Sequence, residues 1–208
     1  MKRRNGQSKV LTKDEIKRVI KFQDRKSNNH SLRNICLMNM SVLLGCRVGE
    51  IATLRLNQVV NDDWTIKDEV VLLKENTKSK KNRVMYLVHK DLRTSLENYI
   101  NHRRMTEKLE PRTRSFETPL FLSQKKSGFS PRSMQRLFKN MYRDVGLDEM
   151  VSSHSGRRTF ITNLITSGID MKSVSTLAGH SSIQTTVDTY AVPNPNKMVN
   201  VCKNLNIV

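Results

Sequence analysis

Between Val59 and Leu87 the hydrophobic rhythm of this chain changes, and that change limits the folds open to it. Upstream, apolar residues recur at helical spacing, with Ile16, Val19, Ile20 and Phe22 in one stretch and Leu32, Ile35, Cys36, Met38, Met40, Val42 and Leu43 in the next. Inside the interval, VVNDDWTI, EVVLL and NRVMYLV are short β-branched and aromatic runs broken by Asn/Asp and Lys/Ser/Asn turns, which is a strand pattern. Downstream, Leu92, Leu96 and Ile100 restore the helical period at i, i+4 and i+8. One β block set in helical sequence predicts an α+β fold: a mainly helical single domain with a small three-stranded antiparallel sheet.

End signals sharpen the helices. Thr12 and Glu15 form a capping box that starts a helix over 13–24. The segment from Ser31 is apolar nearly all round, hence central to the core, and Gly45 stops it; the short helical pattern VGEIATL follows and carries Glu50. Ser130 and Pro131 open a helix to about Asp144 that buries Met134, Leu137, Phe138 and Met141. Ser153 is expected to cap a helix to about Thr166, and Asp170 to cap a shorter one ending at Gly179. The stretch 105–119, with two prolines and no apolar period, is the best loop candidate. Residues 1–10 are expected to be a basic flexible arm and 11–192 the domain. Residues 193–208 form a tail whose Met198, Val199, Val201, Leu205 and Ile207 have too little to bury alone, so it packs on its own domain or docks on a neighbouring protomer.

Charge narrows the partner. Lys and Arg number 37 against 19 Asp and Glu, a formal +18 over 208 residues. Nucleic acid is the first partner such a balance suggests, because neutralising phosphates releases counterions and gives affinity that ignores sequence. An anionic membrane would suit the charge equally, but the chain has no long apolar run, signal-type segment or concentrated basic amphipathic helix. Cys36, Cys46 and Cys202 are odd in number, widely spaced and in no C-x-x-C pair, which argues against a disulfide framework or zinc finger and for a reducing, cytoplasmic location.

Chemistry concentrates between Val151 and Tyr190, where His154, Arg157, Arg158, His180 and Tyr190 fall around two short helix signals. A transferring phosphoryl group spreads charge over its non-bridging oxygens, so the protein must neutralise that charge and position a nucleophile. Arginine binds two oxygens at once and stays charged; histidine moves protons near neutral pH; lysine can protonate a leaving alkoxide; a tyrosine oxygen can hold the phosphate covalently. All are available without a metal or cofactor. In H-S-G-R, His154 and Arg157 fall at i and i+3 on a first helical turn, whose positive end favours an anion. Taken singly, that box also reads as a capping histidine beside a solvated arginine, and the histidine of LAGHSS as structural. Tyr86, Tyr99 and Tyr142 compete as nucleophiles, but a strand position and two apolar helix faces suit packing better.

Taken together, HSGRRTF, LAGHSSIQTTVDTY and the upstream LLGCRVGEIATLRL resemble the tyrosine recombinase (phage integrase) family over about Leu11 to Val192. The resemblance implies that family's catalytic-domain fold and a six-residue catalytic set. Arg47 matches the first catalytic arginine and Glu50 its supporting acid; Lys78 in KSKKNRVMYL matches the hairpin lysine, with Lys80 and Lys81 the other registers; His154 and Arg157 match H-x-x-R; His180 matches L-x-G-H; Tyr190 matches the nucleophile. Lys80, Lys81, Arg83 and Arg158 are expected to contact DNA. The activity implied is site-specific recombination of double-stranded DNA through a 3′-phosphotyrosyl link, by a protein monomeric or weakly dimeric when free and tetrameric on DNA. A non-cutting DNA-binding regulator and a type IB topoisomerase-like enzyme would share the fold. Two departures stand out. Gly156 replaces the leucine many relatives carry, which should loosen the helix start by about 1 kcal/mol. Few residues precede the catalytic region, where most relatives carry a helical core-binding domain, so the chain is expected to be a fragment or a naturally short member.

Overall fold

The computed structural model describes residues 8–28, 30–77, 82–147 and 150–190, with the side chains of Asn76 and Tyr190 outside the description. Helix α1 (Lys13–Lys26) begins at the expected capping box: the Thr12 hydroxyl accepts from Glu15 N at 3.2 Å and the Glu15 carboxylate from Thr12 N at 2.9 Å. Residues 8–10 of the expected arm are tethered rather than loose, with Lys9 N donating to Met150 O and Lys9 Nζ paired with Glu15 at 2.5 Å. Residues 1–7 lie outside the described part.

Helix α2 (Ser31–Leu44) is the axis of the fold. Cys36, Leu37, Met38 and Met40 are fully buried, Arg33, Asn34, Asn39 and Ser41 are buried with them, and α1, α5 and α7 pack around the helix. Gly45, left-handed at φ 60°, ends it and turns the chain into α3 (Val48–Thr53) and α4 (Leu56–Val59). An antiparallel pair follows, β1 (Glu69–Leu72) with β2 (Arg83–Tyr86), in register Glu69↔Tyr86 to Leu72↔Arg83.

The expected third strand is not there among the described residues. Val59 closes α4, and VVNDDWTI makes a single bridge, Val60↔Ile66. The cause is local: Asn61 and Asp63 bond to Thr65 through their side chains, and Asn61 N donates to Thr65 O, closing a turn where a strand would need extended backbone.

Helix α5 (Lys90–Glu107) runs three residues into the stretch expected to be loop, and the rest of that stretch contains a 3₁₀ turn over Arg114–Glu117, anchored by buried Phe116 edge-on to Trp64 at 5.4 Å. Helix α6 (Pro131–Arg143) buries Met134, Phe138 and Met141, with Leu137 partly buried. Then come α7 (Ser155–Thr166), α8 (Met171–Ala178) and α9 (Ile183–Tyr190). The cap of α7 is His154, one residue later than expected, because Ser155 Oγ accepts from Ser152 N at 3.0 Å and Ser152 Oγ from His154 N at 3.1 Å, so Ser153 is taken up in a tight turn. Asp170 caps α8 as expected, its carboxylate accepting from Ser173 N at 2.9 Å.

Gly156 turns out to be a packing residue. A Cβ there would lie 2.1 Å from Ser41 Oγ and 2.9 Å from Ser41 Cβ, so its absence lets the first turn of α7 press against α2. The close approach compensates the helix propensity that glycine lacks.

Candidate active site

The site forms where the C-terminal end of α2, the start of α3, the foot of β2, the first turn of α7 and the end of α8 meet. Arg47 caps α3, its Nη1 2.7 Å from Glu50 Oε1, and both terminal guanidinium nitrogens face Gly179 O at 3.3–3.4 Å. Arg157 enters from α7 and donates through Nη1 to Gly45 O at 2.7 Å, so the two arginines are tied to backbone on either side of one corner. Arg47 keeps 19% of its side chain exposed, whereas Arg157 is 6% exposed as a residue. Glu50 is buried at 1% and works three ways: Oε2 accepts from Arg47 N at 2.9 Å and from Arg83 Nη1 at 2.7 Å, while Oε1 pairs with the Arg47 guanidinium.

His180 follows the left-handed Gly179, and its backbone N–H returns to Ser175 O. Its Nδ1 lies 2.7 Å from Thr186 Oγ1 on α9, which fixes the ring. Burial, reinforced by the positive charges of Arg157, Arg47 and Arg83, pushes the imidazole down to about 4, so it is neutral at physiological pH. In the tautomer in which Thr186 donates to Nδ1, Nε2 carries the proton and the ring presents one N–H donor to an anion. The arrangement of two guanidiniums and one neutral imidazole suits a phosphate oxygen cluster.

Residues 9–197 match the phage integrase family. The chain belongs to the phage integrase family. Within it, the chain is 30% identical over 162 residues to "Tyrosine recombinase XerC" of Chlamydia pneumoniae, covering 77% of this chain and 47% of that protein. It is 26% identical over 185 residues to "Tyrosine recombinase XerD" of Listeria monocytogenes serotype 4b (strain F2365), covering 89% and 58%. The chain thus spans about half the length of the curated relatives it matches. In fold it is similar to XerA recombinase, with a TM-score of 0.71 at 20% identity, covering 98% of this chain and 67% of that one. It is also similar to the Tn1549 transposon integrase in complex with a circular intermediate DNA, with a TM-score of 0.76 at 16% identity over 99% and 68%.

Of the residues a phage integrase pattern points to, Arg47, Glu50, Arg157 and His180 come together here. His154 is exposed at the cap of the helix that carries Arg157. Arg158 is half-buried on the same helix. Lys78, Lys80 and Lys81 lie outside the described residues; for Tyr190 the backbone alone is described, at the end of α9.

Arg83 is a correction. Expected at the DNA surface, it is 3% exposed, and its three donor groups are spent inside: Nη1 on Glu50, Nε on Leu177 O at 2.9 Å, Nη2 on Leu44 O. The strand alternation held the signal, since Arg83 and Met85 share the inward face of β2. Thr186, which fixes the His180 ring, is a residue that the motifs did not single out.

Among the competing tyrosines, Tyr99 is buried against Phe121, accepts from Leu122 N, and is pushed up to about 12 by burial. Tyr142 is likewise buried and raised. Tyr86 corrects the packing expectation: it is 48% exposed, on the outer face of β2, about 10 Å along the strand from Arg83. Cys46, beside Arg47, points at Met85 Sδ at 3.2 Å, and burial pushes its thiol up to about 12, so it packs and does not react. No helix among the described residues is long and apolar enough to cross a membrane.

Proposed function

We propose that the protein is a site-specific DNA recombinase that cuts and rejoins double-stranded DNA through a 3′-phosphotyrosyl intermediate. Arg47 and Arg157 hold the non-bridging oxygens of the scissile phosphate, and His180 adds one N–H. Tyr190 attacks phosphorus, the bond to the 5′-oxygen breaks, and the leaving oxygen takes a proton from Lys78. His154 assists proton movement at the tyrosine. Because the phosphodiester is exchanged for a phosphotyrosyl ester, the reverse step with a new 5′-hydroxyl rejoins strands without ATP.

The single observation that carries the reading is the convergence of Arg47, Arg157 and the neutral His180 on one corner, with Glu50 bracing Arg47. The order of the motifs, the relatives named tyrosine recombinases and a formal charge of +18 support it. Lys80, Lys81 and Arg158 would contact the DNA backbone. We extend the proposal to a cytoplasmic protein that is a monomer or weak dimer when free and a tetramer on DNA, with residues 193–208 docking on a neighbour.

A randomised library of singly nicked duplexes tests it. Cleavage close to the nick releases a short strand and traps the protein, so detergent-resistant adducts can be captured and sequenced. Wild-type protein is expected to give adducts enriched in one sequence, and Tyr190→Phe none. Adducts from Tyr190→Phe would overturn the assignment, and adducts without sequence enrichment would overturn site specificity.

A further inference from the structure

Arg83 stands outside the catalytic set yet touches the end of α2, Glu50 of α3 and the turn that closes α8, the elements around that set. Its Nη1 binds the same Glu50 carboxylate that holds Arg47, so Arg47, Glu50 and Arg83 form one chain of charge with distances of 2.7 Å on either side of the acid. Its Nε donates to Leu177 O in the last turn of α8, two residues before the glycine whose carbonyl receives Arg47. Its stem lies across Gly179, where a Cβ would sit 2.6 Å from Arg83 Cδ. Its Nη2 donates to Leu44 O at the end of α2, next to the carbonyl of Gly45 that receives Arg157. Its own backbone opens β2, and the neighbouring Asn82 Oδ1 accepts from Lys74 N at 2.9 Å, closing the base of the segment that carries Lys78.

A buried guanidinium with three separate attachments is an expensive way to add stability, since an apolar side chain would fill the same space without the desolvation. It is an effective way to fix geometry. We infer that Arg83 is the positioning residue of this site: through Glu50 it aims Arg47, through Leu177 and Gly179 it sets the turn that presents His180, and from β2 it ties the hairpin base to both. The inference rests on the proposed function and extends it to a residue that touches no substrate.

The mechanism of action is orientation. Arg47 needs its outer face toward the phosphate, and Glu50 restrains it through Oε1 while Oε2 is held by Arg47 N and by Arg83 Nη1, the side-chain partner that reaches it from β2. Misplacing one charged group by about 1 Å can lower a rate by about 10²-fold. Removing Arg83 should therefore slow the chemical step while leaving phosphate contacts elsewhere intact.

The test compares wild type, Arg83→Met, Arg83→Lys, Glu50→Gln and the double variant Arg83→Met/Glu50→Gln, at a temperature where circular dichroism finds each folded. Two readouts are used: single-turnover adduct formation and equilibrium binding on a nicked duplex recovered with wild-type protein, and the NMR titration midpoint of His180 in free protein. Arg83→Met is expected to slow adduct formation by about 10²-fold with binding changed by less than about threefold, the size of ordinary context effects. Arg83→Lys, which keeps the charge beside Glu50, is expected to recover about tenfold of that loss. If Arg83 acts through Glu50, the double variant is no slower than Arg83→Met by more than about threefold. His180, faced by Arg157 from α7, Arg47 and Glu50 from α3 and Arg83 from β2, is expected to titrate at higher pH in Arg83→Met. Parallel losses of binding and rate, or losses that multiply in the double variant, would overturn the positioning role. An unmoved His180 midpoint would overturn it even if wild-type protein formed no adduct, which is the result that would instead remove the proposed function.

Discussion

Replacing Gly156 by alanine sets two effects of known size against each other. Helix propensity alone favours alanine by about 1 kcal/mol in a helix interior. Against it, the new Cβ would sit 2.1 Å from Ser41 Oγ, 2.9 Å from Ser41 Cβ and 3.2 Å from the Ser41 backbone carbon. A rotamer change at Ser41 can remove the first contact, but the other two belong to atoms fixed by α2, so the helices must part. Because two of the three contacts are with atoms that α2 holds in place, the cost falls in the upper part, about 2–3 kcal/mol, of the usual range for overpacking, and the net is a loss of about 1–2 kcal/mol, a fall of roughly 2–8 °C in melting temperature for a domain of this size. Parting the helices also draws Arg157 away from Gly45 O, so adduct formation should fall with stability. Urea and thermal unfolding of wild type, Gly156→Ala and Gly156→Ala/Ser41→Ala measure it. The double variant is expected to recover part of the loss, because the hydroxyl contact is gone and the Cβ contact remains. Gly156→Ala as stable as wild type, or more so, would refute the reasoning and restore the view of Gly156 as a loosened helix start.

Other consequences follow from the same contacts. Glu50→Gln removes a buried acid shared by two arginines and should destabilise by about 3 kcal/mol or more, read by urea unfolding. His180 is held down to about 4 from an ordinary 6.5, so the unfolded chain takes its proton first as pH falls. Stability is therefore lost between about 6.5 and 4, and His180→Asn should show a shallower fall of melting temperature over that window. DNA affinity resting on six or more phosphate contacts should drop by about 10³-fold or more between about 50 and 200 mM salt; a flat response would point to recognition without the basic surface.

The sequence exposed the helical skeleton because its signals are local: Thr12 with Glu15, Ser130 with Pro131 and Asp170 each carry their cap within one turn. The unsupported third strand has the opposite cause, since β-branched residues flanked Asn61-Asp62-Asp63-Trp64 and propensity could not tell whether the side-chain bonds to Thr65 would win. In the site, Arg47, Glu50, Arg157 and His180 were singled out by the family resemblance, since taken singly their boxes also read as caps and structural histidines; the fold brings the four together. The roles of Arg83 and Gly156 were not legible, because they are long-range, a carboxylate on α3 in one case and a serine on α2 in the other. The inward alternation of β2 carried half the message about Arg83, and only the register of α7 against α2 carries the reason for Gly156.

The central claim is that one phosphodiester is attacked by the phenol of Tyr190 in a pocket made by Arg47, Arg157 and His180. Proteolysis of the trapped adduct and mass spectrometry of the nucleotide-bearing peptide test it most directly. The nucleotide is expected on Tyr190, and Arg47→Ala and Arg157→Ala are expected to yield no such peptide. A nucleotide on the exposed Tyr86, or unaltered yield from either arginine variant, would contradict it.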